Sequence, residues 1–214
     1  MRCLVLREFC LKELSEVVKL ISQCFRGSSI LDAFSTLLVL LEEQPMGRIL
    51  LSKRLGIGER RIRSILSRLE ECNLIERDSI AGCFLSATVK ELLEVLNIRR
   101  YNTSHKQAFI TVLGNVCREM LECLDKRIVE IRDNIVIMTS NPKHLLALGF
   151  SIQGELYFPR VEGKYYNALV SMVSQTLSNQ NLSGNYILVL WNNYKPWIYD
   201  AITLLSLYNS CCSS

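Results

Sequence analysis

The sequence predicts a two-domain protein of mixed α and β structure, of class α+β joined to α/β. A helical N-terminal domain closes in a short hairpin, and a small C-terminal α/β domain of about four strands follows. Three observations predict this. Apolar residues recur at helical steps through residues 8–72. Turn residues Asp78, Ser79 and Gly82 then interrupt two short runs, as in a hairpin. Beyond residue 106, short apolar runs alternate with amphipathic stretches. A length of 214 residues suits one large or two small domains, and 49% apolar with 21% charged residues marks a folded chain.

Residues 8–26 place Leu11, Leu14, Val18, Ile21 and Phe25 at steps of three and four, a seam flanked by Lys12, Glu13, Glu16 and Lys19. One short helix cannot bury that stripe alone. It predicts a homodimer through residues 8–25, with packing back onto its own domain as the alternative. Arg26-Gly27-Ser28-Ser29 breaks this helix, and a second covers residues 30–44 with Ile30, Phe34, Leu37, Leu38 and Leu41 on one face. Pro45 ends it. Residues 47–55 form a short helix closed by Gly56; another spans about 59–72 and stops at Asn73. "LIERD" and "GCFLS" form the hairpin. Ser86 or Thr88 then caps a last helix, Thr88 with Glu91 fitting a capping box. The predicted organisation is an N-terminal helix (1–27), a helical domain (28–97), a polar linker (98–106) and the α/β domain (107–214).

The order helix, helix, helix, hairpin, helix and the string "LLSKRLGIGERRIRSILSRLEECNLIERD…GCFLSATVKELLEVL" closely resemble winged helix-turn-helix transcription regulators, over residues 29–97. The Leu55-Gly56-Ile57 turn, the Ile62/Leu66/Leu69 core face, Asn73-Leu74-Ile75 and the exit helix carry the likeness. The layout also resembles archaeal proteins that join a winged helix to an α/β domain of unknown function. The resemblance implies a partner, double-stranded DNA, with the second helix of the motif in the major groove.

A wheel of residues 59–72 puts Ile62, Ile65, Leu66 and Leu69 on one face and every arginine off it. Arg60, Arg61 and Arg63 fall in the first turns, where guanidinium forks can pair with guanine edges or phosphate. Ser64 and Ser67 are short enough to allow close approach. Arg68 lies on the same flank as Arg61. Lys53 and Arg54, at the end of the preceding helix, and Arg77, on the hairpin, are placed for phosphates. Residues 53–68 hold six basic residues and one acidic, although residues 28–97 as a whole hold nine and ten. The alternative is a scaffold subunit using the same fold for protein contacts.

In the C-terminal domain, residues 107–113 and 134–140 read as strands around a helix carrying Cys117, Met120, Leu121, Leu124, Ile128 and Ile131, a β-α-β unit. A short helix is expected at 142–148, strands at 154–159 and 186–191, and helices at 164–177 and 196–208. Gly114, Asn115 and Arg118, at a strand-to-helix turn, are the candidate ligand site for an anionic group, although such turns are usually mere connections. The domain is read as sensing a small-molecule or protein effector.

Nothing points to an enzyme or a cofactor. His105 and His144 stand near no nucleophile motif, and Gly56-x-Gly58 follows no strand. The nine cysteines contain no Cys-x-x-Cys pair, so no zinc site is predicted. Their odd number favours free thiols packing as small hydrophobes, with hyperthermophile disulfides as the exception left open. No apolar run reaches membrane-spanning length, and Glu8, Lys12 and Glu13 interrupt the start, so the expected location is the cytoplasm.

Overall fold

The computed structural model describes residues 8–27, 29–103, 108–180, 182, 184–192 and 195–212. Among these the chain forms eight helices and two antiparallel sheets, of two and five strands. They gather into two compact units, one of residues 15–94 and 196–201, the other of the described residues in 1–14, 95–195 and 202–214. The N-terminal helix is therefore not a module of its own.

The helical unit takes most of α1 (Leu11–Cys24), then α2 (Ser29–Glu43), α3 (Arg48–Leu55), α4 (Glu59–Glu71), the hairpin β1 (Ile75–Asp78) and β2 (Gly82–Leu85), and α5 (Ala87–Glu94). Along α2 the run Ala33–Leu40 is buried on every side, so this is the central helix. The turn between α3 and α4 is tight. Gly56 sits at φ +65°, a left-handed position that a glycine holds without strain, and the Ser52 hydroxyl donates to the Ile57 carbonyl at 2.6 Å. Asn73 ends α4 in the same left-handed region. The hairpin is tied down where α2 meets α3: Met46 exchanges two backbone bonds with Cys83, and the Leu85 N–H donates to the Gln44 side chain.

The α1 seam has a different use from the one expected. Leu14, Val18, Ile21 and Phe25 are all buried within this one chain. The seam thus packs back within the chain, which is the alternative to a homodimer through residues 8–25, and Leu11 at its start is half-buried.

The second unit is built on a sheet of order β3-β4-β7-β5-β6, every neighbouring pair antiparallel. Its strands are β3 (Ile98–Asn102), β4 (Ala108–Gly114), β5 (Leu145–Ile152), β6 (Glu155–Tyr157) and β7 (Tyr186–Asn192). Its helices are α6 (Arg118–Thr139), α7 (Gly163–Leu177) and most of α8 (Ile198–Cys211). Leu169, Val173 and Leu177 of α7 cover one face, against Ile110, Val112, Leu188 and Leu190. α8 lies on α6: Arg127 donates to the Ser210 carbonyl at 2.6 Å and Asn134 to the Ser210 hydroxyl at 3.1 Å. Thr111, Val189 and Trp191 alternate with the α7-facing residues and are equally buried, so the middle of the sheet is covered on both faces.

Several expectations for this unit are corrected. Residues 98–102 are not linker but the edge strand β3, whose arginines and tyrosine hide the strand signal. (Residues 104–107 lie outside the described set.) Residues 134–139 continue α6, since Ile128, Ile131 and Ile135 keep one helical face buried. The expected helix at 142–148 is instead a turn at 142–144 and the start of β5. Gly149, expected to stop that helix, lies inside the strand, where a Cβ would come within 2.5 Å of the Phe158 ring. The β-α-β unit expected over residues 107–140 is therefore not formed: the strand after α6 is β5, which runs the same way as β4 but is separated from it by the antiparallel β7. The sheet has five strands rather than four.

The reading of the cysteines as free thiols is also corrected. Cys10–Cys117, Cys24–Cys72 and Cys123–Cys211 are paired as disulfides, with Cα separations of 5.3, 6.4 and 6.0 Å. Cys83 is a free, buried thiol, and Cys3 lies outside the described residues.

Candidate nucleic-acid interface

The turn at Gly56 delivers α4 with one face committed to the core. Ile62, Ile65, Leu66 and Leu69 are buried, while Arg60, Arg61, Arg63, Ser64, Ser67 and Arg68 are exposed. Capping is minimal: Gly58 precedes the helix with no side-chain bond, and its carbonyl accepts the N–H groups of Arg61 and Ile62. The first turn thus presents Arg60 and Arg63 on the solvent side.

The arginines are not equivalent. Arg61 pairs with Asp32 of α2, a carboxylate only 16% exposed, and so joins two helices. Arg54 pairs with Glu43 at 2.9 Å. Glu59 is shared, 2.9 Å from Arg48 and 3.6 Å from Arg63. Arg77 meets Glu70 at 3.2 Å. The Arg68 guanidinium lies over the buried Phe25 ring, 5.7 Å from its centre. Ser67 donates to Glu71 at 3.2 Å, whereas Ser64 is exposed between the arginines. Among the described residues, Lys53 and Arg60 stand exposed with no ion pair. The carboxylates at Asp32, Glu43 and Glu59 were missed by the sequence reading. Only Glu59 and Arg63 carry a local signal, their four-residue spacing on one helix.

The hairpin tip is negative and apolar. Asp78 accepts the N–H groups of Ile80 and Ala81 at 2.7 and 2.6 Å, and these bonds hold its carboxyl below the usual 3.8. Ile80 beside it is 96% exposed. Such a tip does not suit phosphate. A lowered folded pKa means that this turn's contribution is present above 3.8 and lost as pH falls through the lowered value. A carbon-detected NMR titration of Asp78 is expected to give a midpoint below 3.8; one at or above it would show that the turn is not held this way.

The strand-to-helix turn at Gly114 is occupied by the protein itself. Phe9 donates to the Asn115 carbonyl at 2.8 Å and accepts the Cys117 N–H at 3.1 Å. Arg118 pairs with Glu122 at 3.0 Å. The backbone of Gly114 and Asn115 is thus packed against Phe9, while Arg118 is exposed and lines a neighbouring groove of about 400 Å³. Among the described residues no group of His, Cys, Asp or Glu side chains is arranged to hold a metal ion, and no single helix is long and apolar enough to cross a membrane.

No family model matches the chain, and no curated protein matches it. Among solved structures it is similar to the hypothetical protein PH0730 from Pyrococcus horikoshii OT3, at 16% identity and a TM-score of 0.54. That match covers 85% of this chain and 94% of the other. At this identity the likeness concerns the fold alone.

Proposed function

We propose that the chain is a winged helix-turn-helix regulator that binds double-stranded DNA through α4, with the second unit sensing an effector. One observation carries the reading. α4 follows a tight turn, is buried along one side, and offers Arg60, Arg63 and Ser64 to solvent along the other. This is the presentation a major-groove helix needs. Arg60 is the foremost base-reading residue and Lys53 the foremost phosphate contact, since neither has to leave a carboxylate. Arg63 joins them by exchanging Glu59 for the nucleic acid. Arg61 is a positioning residue that holds α4 to α2.

The test is anisotropy of a fluorescent duplex selected from random sequence. Arg60→Ala is expected to lose about 1–3 kcal/mol on the selected site and to relax its specificity. Lys53→Ala weakens all duplexes alike and lowers the salt slope by about one. Unchanged binding in the Lys53, Arg60 and Arg63 triple alanine variant sinks the proposal.

A scaffold role is the second reading, and a specific observation favours it. Five arginines of the region are paired with carboxylates, while Ile49, Leu50 and Ile80 are exposed. If the triple variant binds DNA as before, or no duplex binds with a salt-dependent affinity, this reading takes its place.

A further inference from the structure

A groove of about 550 Å³ runs beside the first half of β5. One wall is α6, through Ile128, Val129 and Val136; the other is the segment after β6, through Pro159, Val161 and Tyr165. Leu145–Leu148 form the floor. On one side β5 pairs with β7 from Leu145 to Ser151, but on the other β6 covers only Phe150–Ile152. The sequence explains the early stop. Continued in register, the β6 strand would set Pro159 opposite Leu148, and proline has no N–H to donate. Arg160 then takes a left-handed conformation and the chain leaves for α7. From Leu148 back to Leu145 the strand has no partner strand on this side. A register shift at Leu146 blunts the edge slightly, and the Tyr165 hydroxyl, itself half exposed, donates to the Leu146 carbonyl at 3.3 Å.

We propose that this edge takes an extended apolar peptide from a protein partner as an added strand. The proposal supplies a partner for the sensing unit and rests on that part of the functional reading alone; DNA affinity does not enter it. The occupant follows from shape, size and charge. A floor of four residues recessed between two walls admits a single strand. It does not admit the matching edge of a second copy, which is recessed in the same way. A stable dimer also buries about 1,200 Å² or more, beyond what so short an edge offers. Alternate side chains of an added strand would lie against the apolar walls. At the rim Arg132 is taken by Asp133 at 3.0 Å, whereas Arg160 has no ion pair among the described residues. An acidic residue flanking the peptide's apolar stretch fits there.

The experiment uses the full chain and a fluorescein-labelled heptapeptide of alternating valine and threonine that ends in glutamate. A matched peptide carries proline at its centre. The alternating peptide is expected to bind, and the proline peptide to bind at least about tenfold more weakly. Val129→Glu, on an exposed position of the wall, weakens the alternating peptide about tenfold, and Arg160→Ala weakens it only when the glutamate is present. Amide exchange at Leu146 and Leu148 slows in the complex. Equal binding of the two peptides, displacement of the peptide by laurate, or no binding at about 1 mM overturns the proposal. So does a wild-type dimer that Val129→Glu converts to a monomer, since the edge would then belong to a second copy.

Discussion

Reduction of the three disulfides among the described residues is expected to abolish cooperative folding at moderate temperature. The bonds close spans of 48, 88 and 107 residues. Each span confines the unfolded chain strongly, and loss of a native bond of this kind costs about 2–5 kcal/mol. Three together amount to about 6–15 kcal/mol, the same size as the whole stability of a typical domain, about 5–15 kcal/mol. Calorimetry with and without phosphine reductant should show the main transition falling by about 20 °C or more, or disappearing. Replacing Cys24 and Cys72 together by serine removes one bond and isolates its share, in the helical unit. Alkylation followed by mass spectrometry is the decisive control. If the unreduced, denatured protein takes up label at all nine cysteines, the pairs do not exist in solution and the effect vanishes.

Trp191→Ala carries the next largest effect. Trp191 sits on the central strand β7 with no exposed surface, and its indole N–H donates to the Thr111 hydroxyl at 3.2 Å. Truncation leaves a large cavity in the middle of the sheet, and changes of this kind cost about 3–5 kcal/mol. Trp191→Phe keeps most of the volume but drops the hydrogen bond, so about 1–2 kcal/mol is expected. Urea unfolding followed by circular dichroism measures both. A loss under about 1 kcal/mol for the alanine variant would mean that the sheet is not packed around this ring.

The helical unit was legible in the sequence because its signals are local. The turn at Gly56, the stop at Asn73 and the buried face of α4 each depend on residues within one or two turns of each other. The second unit was harder for identifiable reasons. "NIVIMTS" and "HLLALGF" are both short apolar runs, and periodicity alone cannot separate a buried helix from a buried strand. Length would have helped: the face of Ile128 and Ile131 runs on into Ile135 without a break. "NIRRYN" hid its strand behind charge, as edge strands do.

At the candidate interface the exposed arginines were visible and their restraints were not. Arg61 meets Asp32 across 29 positions and Arg54 meets Glu43 across 11. A helical wheel reports which side a guanidinium leaves, not which carboxylate waits there. The disulfides failed the sequence reading in the same way, since nothing local marks Cys10 as the partner of Cys117. The groove beside β5 had one readable trace, Pro159 following a short strand, but its meaning depends on which strand lies opposite.

The second unit is stitched from both ends of the described chain. Phe9 pairs with Val116, Cys10 is bonded to Cys117, and Cys212 donates to the Leu11 carbonyl at 3.6 Å. The first of these segments leaves the ribosome before the sheet it joins, and α8 leaves after it. The nascent chain must therefore hold Phe9 and Cys10 in waiting until Val116 and Cys117, about a hundred residues later, have been made. A fragment cut at residue 107 would lack β3 and the Phe9–Cys10 segment. A circular permutant joining the two ends would instead bring the closing segments off the ribosome together.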